Sequence, residues 1–313
     1  MANVTDAAFR RVIAKYGKPD VMWTEFVSCD GLCSEGRERL LPDLAFTDSE
    51  RPIVAQFFGA KPETFYQCAQ LAQELKFDGI DINMGCPDRN VEKQGAGAAL
   101  IKTPELAQEI IRETMRGAGD LPVSVKTRIG YNSIALSEWM KYLLDTGLSA
   151  ITIHARTRKE MSDVPARWDT VKQAAEIAHA FDASPDRTLI FGNGDVTSIE
   201  EAGERVRETG ADGVMIGRGI FGNPWLFDRT RTLADIPLEE RLSVMLEHTF
   251  LFEQLFRGTK SFDVMKKHYK AYIQGFDGAK EFRAELMTLK DAASVAKAVK
   301  ARYPGVTLPG EKD

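Results

Sequence analysis

Histidine and cysteine are scarce in this 313-residue chain, at four of each. The cysteines (Cys29, Cys33, Cys68 and Cys86) form no C-x-x-C pair, and no nearby histidine pair completes a zinc set. A reduced cytoplasmic setting is therefore expected, with no metal and no disulfide at Cys86. No apolar run reaches the roughly 18 residues that span a bilayer, so no membrane role is expected. The polar start "MANVTDAAFRR" does not read as a signal peptide. Neither sign of charge dominates, the net charge being −5. With 43% hydrophobic and 28% charged residues, the composition is that of an ordinary globular chain of one large domain or two smaller ones.

What is present is a repeated order of elements. Seven short apolar runs each lead into a polar or glycine-containing loop: 21–28, 52–59, 79–85, 122–130, 150–156, 188–194 and 213–219. Between them, stretches such as 61–75, 104–116, 136–146, 168–180 and 197–208 carry apolar residues at three- and four-residue spacing. Strands alternating with helices predict a parallel sheet. Seven of them in about 200 residues fit a TIM (β/α)8 barrel better than a doubly wound sheet. No G-x-G-x-x-G follows the first strand, which counts against the dinucleotide-binding form. Residues 5–16 read as the first barrel helix, with Thr5 as N-cap and Gly17 as its stop. The first barrel strand is then expected upstream of Met1.

Side chains alternate across a strand, and the parity here is chemical. In "GIDINMG" Ile80 and Ile82 share one face, Asp81 and Asn83 the other. In "PVSVKTRIG" Val123 and Val125 oppose Ser124, Lys126 and Arg128; in "AITIHAR" Ile151 and Ile153 oppose Thr152, His154 and Arg156. With the apolar sides toward the helices, the polar sets converge inside, at the C-terminal strand ends where barrel enzymes keep their sites. Gln56 joins them from "PIVAQFFG". Singly, each of these residues is as well explained by solvation, ion pairing or core hydrogen bonding. Convergence from several strands is the stronger signal.

"FGNGDV" (191–196) and "IGRGIFGNP" (216–224) then place glycines directly after strands. Glycine lets backbone approach a ligand closely, and N–H groups at such turns bind phosphate. Either loop alone could be an ordinary turn. Together with Lys126 they suit flavin mononucleotide (FMN), its phosphate on the last two loops and a cation at the ring edge that becomes negative on reduction. Gln56, Asn83 and His154 would contact the ring.

The blocks "NMGCP", "GAGAAL" (95–100), "SVKTRIG", "IHARTR", "FGNGDV" and "MIGRG" resemble the tRNA-dihydrouridine synthase family, and the similarity continues into "KKHYKAYIQGFDGAKEFRAEL" (266–286). The resemblance implies FMN, reduction by NADPH, and conversion of uridine to 5,6-dihydrouridine in tRNA. It implies that Cys86 is catalytic and that Gln56, Lys126, His154, Asn193, Gly194, Asp195, Gly217 and Arg218 hold the flavin. It makes Met1 the methionine that ends the family's first strand, and the stretch 159–169 departs from the family by lacking its Tyr and Gly. In such a reaction hydride arrives at C6 of uracil and a proton must reach C5. A thiol is protonated at neutral pH, so Cys86 is expected to act as general acid rather than nucleophile.

Two rival readings are a dihydroorotate-dehydrogenase-like enzyme acting on a free pyrimidine and a non-catalytic RNA-binding protein. The helical tail is superfluous for the first, and intact Cys86, Lys126 and His154 speak against the second. The expected division is a catalytic barrel over 1–232 and a helical tRNA-binding domain over 233–313, acting as a monomer. Residues 257–303 carry eleven Lys or Arg against five Asp or Glu, a net +6 in an otherwise acidic chain, as an RNA-binding module would. In 263–276, Met265, Tyr269, Tyr272, Ile273 and Phe276 fall at helical spacing as a buried stripe bordered by His268. That leaves Lys266, Lys267 and Lys270, with Lys280 and Arg283 of the next helix, for tRNA phosphates. Arg156 and Arg158 are expected to face the tRNA as well.

Overall fold

The computed structural model describes residues 4–311; Met1 lies outside them. The seven expected strands are present as β1 (Met22–Ser28), β2 (Ile53–Phe58), β3 (Gly79–Met84), β4 (Val123–Arg128), β5 (Ala150–His154), β6 (Leu189–Asn193) and β7 (Gly213–Met215). They form one sheet in sequence order, and the pairings from β2 to β7 are all parallel, a TIM-barrel-like arrangement. Helices alternate with them: α1 (Ala7–Tyr16), α2 (Cys29–Leu32), α3 (Arg37–Leu40), α4 (Pro62–Glu74), α5 (Arg89–Glu92), α6 (Pro104–Ala118), α7 (Leu136–Leu144), α8 (Trp168–Phe181) and α9 (Ile199–Thr209). Four more close the chain: α10 (Leu238–Phe256), α11 (Met265–Tyr272), α12 (Ala279–Leu286) and α13 (Ala292–Arg302). Among the described residues, no helix is long and apolar enough to cross a membrane.

Local chemistry explains the boundaries. Pro62 and Pro104 open α4 and α6 at positions where a missing N–H costs nothing. Ser198 caps α9 by accepting from the Glu201 N–H, and Gly210 ends it in the left-handed conformation, φ 70°. The N-cap of α1 is Asp6, not Thr5: its carboxylate accepts from the Phe9 N–H at 3.0 Å. Both residue types cap well, and the one that reaches the third N–H decides.

The chain separates into two compact units. One comprises 26–41 and 52–218, with β2–β7 and α2–α9; the other comprises 1–25, 42–51 and 219–313, with α1 and α10–α13. In the helical unit Ala7, Ala8 and Val12 of α1 share one core with Leu242, Met245, Phe252, Tyr269, Phe282 and Val295. Met265, Tyr269, Tyr272 and Ile273 are buried as the stripe requires, and so is His268. Phe276 is not part of that helix: α11 stops at Tyr272, and Phe276 lies beyond it, half-buried against the same core.

Candidate active site

Strand register sets the site in rows. Gln56 stands beside Asp81, Asn83 beside Lys126, and Arg128 beside His154, which is beside Asn193. The aliphatic partners Ile80, Ile82, Val125, Ile151 and Ile153 are completely buried on the other parity. The polar sets therefore meet at the C-terminal ends of β2–β6, as the alternation predicts.

Their hydrogen bonds form a chain that ends at the backbone N–H of Cys86. Ser124 Oγ donates to Asp81 Oδ1 at 2.6 Å, and Gln56 Nε2 donates to Asp81 Oδ2 at 2.7 Å. Asn83 Nδ2 donates to Gln56 Oε1 at 3.3 Å, while Asn83 Oδ1 accepts from the N–H groups of Gly85 (3.1 Å) and Cys86 (2.9 Å). Asn83 thus uses both ends of its amide to shape the turn that carries Cys86. Asp81 is completely buried, and that burial pushes its carboxyl up to about 6. It was legible in the sequence only as a neighbour of Asn83 in parity, yet it anchors the chain.

The motif "GAGAAL" supports the same turn from below. The Ala98 N–H donates to the Cys86 carbonyl at 3.0 Å. Gly97 has φ 61°, and a Cβ there would stand 2.7 Å from that carbonyl oxygen and 2.8 Å from Val91 Cγ1. Only glycine fits. Arg128 holds the other side: Nε donates to the Gly85 carbonyl at 2.7 Å, and Nη1 to the carbonyls of Thr157 and Met161 at 3.0 Å each. Burial pushes the Cys86 thiol above its ordinary value, so it keeps its proton at neutral pH.

Cations gather around His154. Burial, then Lys126, Arg128, Arg156 and Arg218, hold its imidazole neutral down to about 2. Lys126 Nζ donates to Asn193 Oδ1 at 2.9 Å, and burial followed by Arg128 lowers it to about 8. The turn after β6 is strained: Gly194 has φ 133° and Asp195, not a glycine, φ 60°. Asp195 is held by Arg156, by Arg218 at 3.1 Å and by the Ala166 N–H at 2.9 Å. Gly217 lies between β7 and Arg218. Such a set of donors around one carboxylate suits an anionic ligand with a phosphate and a polar ring edge, as a flavin nucleotide has.

Several expected tRNA contacts are occupied inside the fold. Arg156 is 2% exposed, pairs with Asp195 and donates to the Val164 carbonyl at 2.5 Å, so it faces the barrel and not solvent. Arg158 pairs with Glu92 and lies over Tyr131 at 5.4 Å. Lys266 pairs with Asp263 at 2.8 Å, and Arg283 donates to the Ile273 carbonyl at 2.6 Å. Lys267, Lys270 and Lys280 are exposed.

Comparison with known proteins gives the family. The family model described as dihydrouridine synthase (Dus) matches residues 1–304. The "Probable tRNA-dihydrouridine synthase" of Staphylococcus epidermidis is 38% identical over 296 residues, covering 94% of this chain and 89% of that protein. The "Probable tRNA-dihydrouridine synthase 2" of Bacillus subtilis is 37% identical over 298 residues, covering 94% and 90%. Among solved structures, morphinone reductase superposes with a TM-score of 0.50 at 12% identity, over 73% of this chain and 81% of that one. A 2-naphthoyl-CoA reductase complex gives 0.51 at 11% identity, over 73% and 46%. At such identity the structures share the fold alone, whereas the sequence relationship is direct: the chain belongs to the dihydrouridine synthase family.

Proposed function

We propose that the chain reduces uridine in tRNA to 5,6-dihydrouridine, with FMN held at the barrel mouth, NADPH as reductant and Cys86 as proton donor. The relatives named as tRNA-dihydrouridine synthases support the substrate. The observation that carries the mechanism is the Cys86 turn, its backbone held by Asn83 and Arg128 and packed on Gly97, with a thiol that burial keeps protonated.

When bound, FMN supplies the hydride for C6 of the uracil. The phosphate suits the backbone of Asn193, Gly194 and Asp195 with Gly217 and Arg218. Lys126, whose ammonium bonds Asn193, would face the polar edge of the ring, and Gln56 and His154 would hold the ring beside it. Neutral His154 donates or accepts a hydrogen bond without adding a fifth positive charge. Cys86 gives its proton to C5, and the cations Arg128 and Lys126 stabilise the thiolate left behind. Segment 233–313 brings exposed Lys267, Lys270 and Lys280 to the tRNA backbone, in a cytoplasmic enzyme acting as a monomer.

Cys86→Ala tests the assignment. It should keep its flavin absorbance and NADPH oxidation yet lose roughly 10²–10⁴-fold in uridine reduction, the scale of positioned proton transfer. Turnover at the wild-type rate would remove Cys86 from the chemistry.

A further inference from the structure

The three cysteines outside the active site, separated in sequence, are brought together. Cys29 opens α2 and Cys33 is its C-cap, while Cys68 lies on α4. Each helix's cysteine reaches the backbone of the other. Cys33 Sγ approaches the Thr64 carbonyl, one turn before Cys68, at 3.8 Å. Cys68 Sγ approaches the Cys29 carbonyl at 3.8 Å, and that same carbonyl accepts the Cys33 N–H at 3.0 Å. These two contacts set the Cys68 sulfur beside the turn that carries Cys29 and Cys33. Cys29 and Cys68 are buried, whereas Cys33 is exposed.

We infer that Cys33 and Cys68 form a reversible oxidation site, in which an electrophilic oxidant of the peroxide class joins them as a disulfide across α2 and α4. The exposed Cys33 sulfur takes an oxygen from hydrogen peroxide, becoming a sulfenic acid and releasing one water. The Cys68 sulfur then attacks it, forming the S–S bond and releasing a second water. Two thiols lose two electrons and two protons, and one peroxide is reduced. Cys68 is suited to the second step. The hydrogen bond from the Cys29 thiol, and after it that from Cys33 and the charge of Arg37, hold it below its ordinary value. The residue Cys33 is exposed but its sulfur is part-buried against α4, and this desolvation, followed by Cys68, raises the thiol to about 12, so the first step is slow. Cys29, completely buried and raised by that burial, stays a thiol beside Cys68.

The test is peptide mapping of the full chain exposed to hydrogen peroxide while folded, with free thiols alkylated before non-reducing digestion. A cross-link between the peptides holding Cys33 and Cys68 is expected, with fragmentation between Cys29 and Cys33 assigning the bonded sulfur. Dithiothreitol should release it. Cys33→Ser, a change at an exposed position, should abolish the link and leave Cys68 open to alkylation once the chain is unfolded. The proposal is overturned by a link through Cys29, by Cys33 carried to sulfinic acid with Cys68 still free, or by Cys33 left unreacted.

Discussion

At the scale of single residues, the catalytic face depends on a few atoms that cannot move. Gly97 is the clearest: its φ of 61° and the 2.7 Å gap to the Cys86 carbonyl leave no room for a methyl group. Gly97→Ala should cost about 1–3 kcal/mol of stability, the range for strained backbone positions, measurable by denaturant unfolding. It should also depress uridine reduction more than NADPH oxidation, because it displaces the thiol and not the flavin site; equal losses in both would contradict this. Lys126→Met removes the ammonium proposed to face the ring edge while keeping much of its length. Hydrogen bonds to charged groups contribute about 1.5–3 kcal/mol, so flavin affinity should fall roughly 10- to 100-fold in equilibrium titration. Undiminished flavin retention would exclude the ring-edge role.

Among the elements, β3 carries the heaviest demand, since all six of its residues are buried and one of them is Asp81. The folded-state value of about 6 lies above the 3.8 of an unfolded carboxyl, so the folded chain holds a proton that the unfolded chain has lost between these limits. Stability from this group is complete below about pH 4, falls as pH rises through 6 and is then constant. Asp81→Asn should therefore gain relative to wild type as pH is raised from 4 to 7, read as the difference in Tm; parallel curves would mean that Asp81 does not titrate in this window. The strands themselves were legible because period-two alternation sorts polar from apolar residues with no tertiary information. Element ends were less so. Thr5 and Asp6 are adjacent capping residues, and α11 ends at Tyr272 with the next glycine three positions on. Contacts made by packing were not legible at all. Cys68 meets Cys29 across 39 positions, and Arg156 meets Asp195 across 39, so neither the thiol cluster nor the partner of Arg156, which parity already turned inward, leaves a trace in local spacing.

For the whole molecule, the contrast between an acidic barrel sequence and the +6 of residues 257–303 has to be read through the ion pairs. Lys266 and Arg283 are engaged within the fold, which leaves Lys267, Lys270 and Lys280, of the five residues expected to meet phosphate, exposed. Lys267→Glu with Lys270→Glu should weaken tRNA binding and reduce its salt slope by roughly 0.7–0.9 for each phosphate no longer neutralised, with flavin content unchanged. Unaltered affinity at low salt would reduce this face to solvated surface. The central claim is a product, and nucleoside mass spectrometry tests it most directly. Purified protein with NADPH and unmodified tRNA should yield a uridine heavier by two hydrogens, absent with Cys86→Ala and not formed from free uridine or orotate. Unchanged tRNA alongside reduction of the free pyrimidine would contradict the account.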